Sequence, residues 1–166
     1  KDIQDLLQER IAQMMAANPS RINFYERYQQ IIKEYNQEQN RATIEKTFEE
    51  LMKLSHDLSE EEKRYVREGF ESDEQLSMYD VLFKENLTKE DIKKLKKVAV
   101  DLLAKIKHLL EEMDHPFDKA ETRAIINIAI RDLLYEELPY SYPDDSIAYY
   151  QGVVYDYVYR QYGGAA

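Results

Sequence analysis

The stretch NPSRINFYERYQQIIKEYN, residues 18–36, decides the fold class. Asn18-Pro19 breaks one helical pattern, because proline lacks an N–H and disfavours the helical conformation at the residue before it. Asn23 is placed to cap a new helix, with Glu26 three residues on to answer it. Phe24, Tyr28, Ile31, Ile32 and Tyr35 then recur at helical spacing. A break followed by an amphipathic helix recurs, with variations, along the rest of the chain.

Upstream, Ile3, Leu6, Leu7, Ile11, Met14 and Met15 form a 3.6-period stripe. Downstream, the polar run 36–40 reads as a loop, and a long helix starts near Thr43. Ile44, Phe48, Leu51, Met52, Ser55 and Leu58 lie on its expected inner stripe. Ser59 with Glu62 could cap a fresh start, or the run can continue through Tyr65 and Val66, with Gly69 as its stop. Ser72 with Gln75, and Thr88 with Asp91, mark two further helix starts. The second should reach Glu112, burying Ile92, Leu95, Val98, Ala99, Leu102, Leu103, Ile106 and Leu110. His115-Pro116 breaks the pattern, and Asp118 with Glu121 opens a helix carrying Ile125, Ile126, Ala129, Ile130, Leu133 and Leu134. Leu138–Pro143 is a stiff connector. A last helix runs from Asp145 or Ser146 to about Tyr162. No strand pattern or fixed repeat emerges. The expectation is an all-α, irregular helical bundle of six or seven helices. Residues 1–162 form one domain in this reading, with 1–40 as a helical connector in one version of it and 163–166 as a flexible tail.

The composition agrees. Only four glycines and four prolines occur in 166 residues, and charged residues make up 34%. That favours helices over a turn-rich β fold. The absence of cysteine excludes disulfides and thiolate metal sites, and is compatible with a cytoplasmic location. No apolar run is long enough to span a bilayer, so no membrane association is expected. The chain starts at Lys1 without an initiator Met, which fits an excerpt from a longer protein and equally a trimmed whole one. The net charge of −10 repels a phosphate backbone at long range, so the whole surface is not a DNA-binding face.

No catalytic signature is present. The chain lacks a GxxxxGK[ST] phosphate loop, a GxGxxG turn, a GxSxG elbow and an HExxH pair. Glu61-Glu62-Lys63 supplies an E-x-K triplet, but no acidic partner on a strand precedes it, and a solvated helix face is the expected setting. His56, His108 and His115 are not spaced as ligands and are assigned structural duty. No catalytic, cofactor-binding or metal-binding residue is therefore expected.

Two features carry interaction chemistry. Lys89, Lys93, Lys96 and Lys97 share a face of one helix, which could follow DNA, meet an acidic partner, or simply be solvated. Nine of the fourteen tyrosines fall between Tyr135 and Tyr162. In the last helix, Ile147, Tyr150, Val154, Tyr157 and Val158 make the inward face. Tyr149, Tyr155 and Tyr159 are left over as candidates for a partner interface, or as a wet surface.

The pattern NPxRxxFxxRxxxIIxxYN, at Asn18–Asn36, resembles a phrase of the restriction (R) subunit of type I restriction-modification enzymes. Three later stretches resemble the C-terminal helical region of the same subunit, in order. They are FEELMKL at 48–54, EGF through EQLSMYDVL at 68–82, and TRAI through LL at 122–134 with Tyr142-Pro143 after it. Two features depart from the family: it often carries Asp-Trp before the RA helix, where this chain has 114–117 and no tryptophan, and the last helix is heavier in aromatics. The resemblance implies a noncatalytic C-terminal assembly domain of an ATP-dependent, site-specific deoxyribonuclease subunit. Nuclease and translocating motor, with ATP and magnesium, would lie upstream. The implied role is to dock that subunit onto the methyltransferase core of modification and specificity subunits, meeting DNA through the holoenzyme. The alternative is a DNA-contacting helical extension of the motor, using the Lys89–Lys97 face.

Overall fold

A computed structural model describes residues 2–164. Among them are eight α-helices and no strand, so the class is as expected and the helix number slightly larger. The helices are α1 (Ile3–Ala17), α2 (Ile22–Gln37), α3 (Arg41–Glu62), α4 (Arg64–Arg67), α5 (Asp73–Leu82), α6 (Lys89–Glu112), α7 (Ala120–Glu137) and α8 (Ile147–Val158). The additional helix arises because the long run from Thr43 breaks at Lys63, leaving α4 as a separate turn. The chain divides into two compact units, Lys1–Asp73 and Glu74–Ala166.

In the first unit, α1, α2 and α3 pack around Leu7, Ile11, Met14, Tyr28, Ile31, Leu51, Leu54 and Leu58. The break before α2 is capped by Asn18, not by Asn23. The Asn18 carboxamide oxygen accepts from the Ser20 N–H at 3.1 Å, capping a 3-10 turn at Pro19–Arg21 that runs straight into α2. The inner stripe of α3 is also rotated from the expected one. Thr47, Leu51, Leu54, Leu58 and Glu61 face inward, and Ile44, Phe48 and Met52 are exposed. Apolar residues on two faces of one helix make the periodicity ambiguous, and an inward-facing Glu61 conceals the true stripe. Gly69, at φ +86°, ends α4 as foreseen. Its N–H donates to Val66 O, and that of Phe70 to Tyr65 O, a left-handed closure that glycine adopts without strain.

In the second unit, α6 packs on α7 and α7 on α8. Leu95, Val98, Ala99, Leu102, Leu103 and Ile106 of α6 are buried, with Ile92 and Leu110 at the helix ends only half-buried, and Ile126, Ile130 and Leu134 of α7 are buried too. Thr88 and Asp91 form a full capping box at the start of α6. The expected Asp118/Glu121 opening of α7 is replaced by a turn. There the Asp118 N–H donates to His115 O at 3.1 Å, and α7 begins at Ala120 without a side-chain cap. A 3-10 turn at Asp144–Ser146 leads into α8, and a π-helical turn, Tyr159–Gly163, follows it. Gly163 packs closely there, since a Cβ would lie 3.2 Å from the Phe117 ring. Ala165 and Ala166, the end of the expected tail, lie outside the described residues.

Candidate interaction surfaces

The tyrosines of the second unit separate into inner and outer sets. Tyr142 is buried and its hydroxyl donates to Leu82 O at 2.6 Å. Burial, with Tyr150 and Tyr79 nearby, pushes its pKa well above the ordinary tyrosine value. The Tyr162 hydroxyl donates to the Glu74 carboxylate, which also accepts from Lys107 Nζ at 2.8 Å. Tyr157 is buried with Ile147, Val154 and Val158, and Tyr150 is half-buried, edge-on to Tyr142.

The three candidate rings do not behave alike. Tyr149 is 66% exposed, its ring nearly perpendicular to that of Tyr150. Tyr155 and Tyr159 both meet the buried Phe117 ring edge-to-face, at centroid distances of 6.3 and 5.5 Å. Tyr155 is half-buried there and Tyr159 is 47% exposed. Tyr149 therefore presents its ring outward, whereas Tyr155 and Tyr159 share theirs with the protein's own interior.

The lysine face of α6 is divided in the same way. Lys97 Nζ lies 2.6 Å from Asp101 and 3.8 Å from Glu137 of α7. Lys96 sits over the Tyr79 ring at 5.9 Å. Lys89 and Lys93 are exposed. Asp101 and Glu137 crowd each other beside Lys97. Hydrogen bonding to Lys97 holds Asp101 below the ordinary carboxylate value, whereas burial and then Asp101 push Glu137 above it.

Residues not named as interface candidates in the sequence make a further exposed apolar surface of this unit. Ile125 was expected to face inward. It is instead 47% exposed and Ile128 46%, because the inward face of α7 is taken by Ile126, Ile130 and Leu134. Ile125 and Ile128 line a groove between α6 and α7 with Leu109, Ala129 and Leu133. Tyr135 is 66% exposed, and Tyr140, in the connector after α7, is almost wholly so. The signal was present in the sequence: α7 carries more apolar residues than one face can hold.

In the first unit, the two arginines of the NPSRINFYER phrase reach α3. Arg27 Nη1 bonds Asp57 at 2.7 Å. The Arg21 guanidinium, 3% exposed, donates to Glu61, to both oxygens of Asp73 and to Met14 O. Burial lowers its pKa, but Asp73 and Glu61 more than offset this. Arg64 completes the cluster, bonding both oxygens of Glu61 at 2.8 and 3.0 Å. Of the E-x-K triplet, Glu61 is thus buried between two guanidinium groups, whereas Glu62 and Lys63 are exposed as the solvated-face reading expects. His108 and His115 are exposed beside Glu112 and beside Asp114 and Asp118. No cluster of three or more His, Cys, Asp or Glu residues suited to a metal ion occurs among the described residues.

A family model described as "Type I restriction enzyme HindI endonuclease subunit-like, C-terminal" matches residues 1–162. The chain belongs to this family. The HindI-like C-terminal match extends over the Arg21 phrase and the tyrosine-rich end alike, so both features lie within one family segment. No curated protein and no solved structure matches the chain. No helix among the described residues is long and apolar enough to cross a membrane.

Proposed function

We propose that this HindI-like C-terminal domain is a noncatalytic assembly module. It docks the ATP-dependent, DNA-translocating and DNA-cleaving subunit onto a methyltransferase core of modification and specificity subunits. ATP and magnesium belong to the upstream domains of that subunit, and the complex works in the cytoplasm. The observation that carries this reading is the outward apolar and aromatic surface of the second unit. Ile125, Ile128, Tyr135, Tyr140 and Tyr149 are all at least 46% exposed. Aromatic rings presented to solvent beside apolar side chains are the usual core of a protein interface. The lysine face supports the DNA-contacting alternative less well, since Lys97 is already engaged by Asp101 and Glu137.

Calorimetric titration of the domain with the purified core tests the proposal. Saturable binding that weakens about tenfold or more for Tyr149→Ala supports it, because interface anchors cost about 1–3 kcal/mol when truncated. Absence of binding by a folded domain contradicts it.

A further inference from the structure

Two depressions adjoin on the second unit. The first is the apolar groove between α6 and α7, where Ile125, Ile128, Ala129 and Leu133 face Leu109. The second lies around the connector, between Tyr135, Tyr140 and the end of α7. Glu136 and Glu137 line both, so the second continues the first. The rims of the two together carry four carboxylates, Asp132, Glu136, Glu137 and Asp144, against two lysines, Lys94 and Lys105. Glu136 has no ion-pair partner among the described residues, and the Tyr135 and Tyr140 rings stand exposed beside it.

This arrangement selects its occupant by chemistry. An apolar trough between two helices takes the apolar stripe of a third. From Ile125 to Glu136 the trough runs about 16 Å, the length of roughly three helical turns. Aromatic faces with carboxylates around them hold a cation, and a guanidinium suits them best. A nucleic acid would meet the acidic rim unfavourably.

Resting on the docking role above, we propose that the α6–α7 groove receives an amphipathic helix of the methyltransferase core. Its apolar residues at i, i+3 or i+4, and i+7 lie along Ile125, Ile128 and Leu133. An arginine or lysine at the end of that stripe enters the Tyr135/Tyr140/Glu136 pocket.

The test uses the parent subunit in its purified complex with the modification and specificity subunits. A photo-crosslinking phenylalanine derivative replaces Ile128, Tyr140 or Tyr149, one at a time. Positions 128 and 140 are expected to capture the same core segment, a helix with that apolar spacing and a basic residue nearest position 140. Ile128→Glu and Glu136→Lys should each weaken assembly about tenfold or more, with unchanged melting. Capture at 149 but not at 128 would overturn the groove assignment while leaving docking intact. Capture by a second copy of this chain, or by DNA, at 128 would also overturn it. If the unmodified parent subunit does not assemble with the core at all, the docking role itself fails, and the groove assignment with it.

Discussion

Arg21 Nε donates to Glu61 Oε2 at 2.9 Å, across forty residues of sequence and with both side chains almost fully enclosed. The pair joins the turn before α2 to the end of α3. It also explains why an arginine directly follows the Asn18-Pro19-Ser20 break. Here the guanidinium is a packing element whose charge is met by Glu61 and Asp73.

Arg21→Ala should therefore be severely destabilising. Breaking a buried pair strands the other charge, which typically costs about 3–5 kcal/mol. Urea unfolding of the variant measures it. A loss below about 1 kcal/mol would mean that water or Arg64 compensates fully.

The Phe117 contacts separate the tyrosines by experiment. Phe117→Ala should cost about 3–5 kcal/mol, as for other buried aromatic truncations. Tyr155→Ala should cost at least the 0.5–1.5 kcal/mol or so of its ring pair. Tyr149→Ala should change stability by less than about 0.5 kcal/mol, as is usual for exposed sites. Equal melting losses for Tyr149→Ala and Tyr155→Ala would contradict this division.

Two glutamates give opposite pH signatures. Burial raises the Glu74 pKa, but hydrogen bonds from Lys107 and Tyr162 lower it more, leaving it below its ordinary value of 4.5. A carboxyl group lowered in the folded state stabilises above its unfolded value and loses that contribution as pH falls through the folded one. Glu137 is raised above 4.5 by burial and by Asp101, so its ionised form opposes folding at neutral pH. Its contribution improves as pH falls through its folded value towards 4.5. Melting curves between pH 3 and 7 should show Glu74→Gln with a flatter acid limb. Glu137→Gln should melt above the parent at pH 7, with the gap closing near pH 4. A Glu137→Gln variant less stable at pH 7 would contradict the carboxylate crowding.

Much of this fold was legible in the sequence because its helix ends are written locally. Thr88 and Asp91 cap α6, and Gly69 closes α4, as their residue types dictate. The ambiguous parts were helices with apolar residues on two faces. On α3, Ile44, Phe48 and Met52 obey the same period as Leu51, Leu54 and Leu58, so spacing alone cannot say which stripe is buried. On α7, Ile125 and Ile128 compete with Ile126 and Ile130 in the same way. The excess tyrosines were visible, but their sharing by Phe117 was not, since that contact depends on tertiary placement. The Arg21–Glu61 pair was hidden for the same reason.

Duplex DNA should bind the domain weakly and with strong salt dependence, given its net charge of −10. Lys89→Glu with Lys93→Glu should change this little. Lys97→Glu is a poorer probe, because it would place a third carboxylate beside Asp101 and Glu137. A tight complex at physiological salt, abolished by the Lys89/Lys93 reversals, would favour the DNA-contacting role.

Competition tests the assembly role most directly. The parent restriction subunit is mixed with its methyltransferase core, and the isolated domain is added in excess while bound subunit is followed by size-exclusion chromatography. The account predicts that the domain displaces the parent subunit, and that the Tyr149→Ala, Ile128→Glu double variant does so at least about tenfold less effectively. Undiminished assembly in the presence of a large excess of folded domain would contradict it.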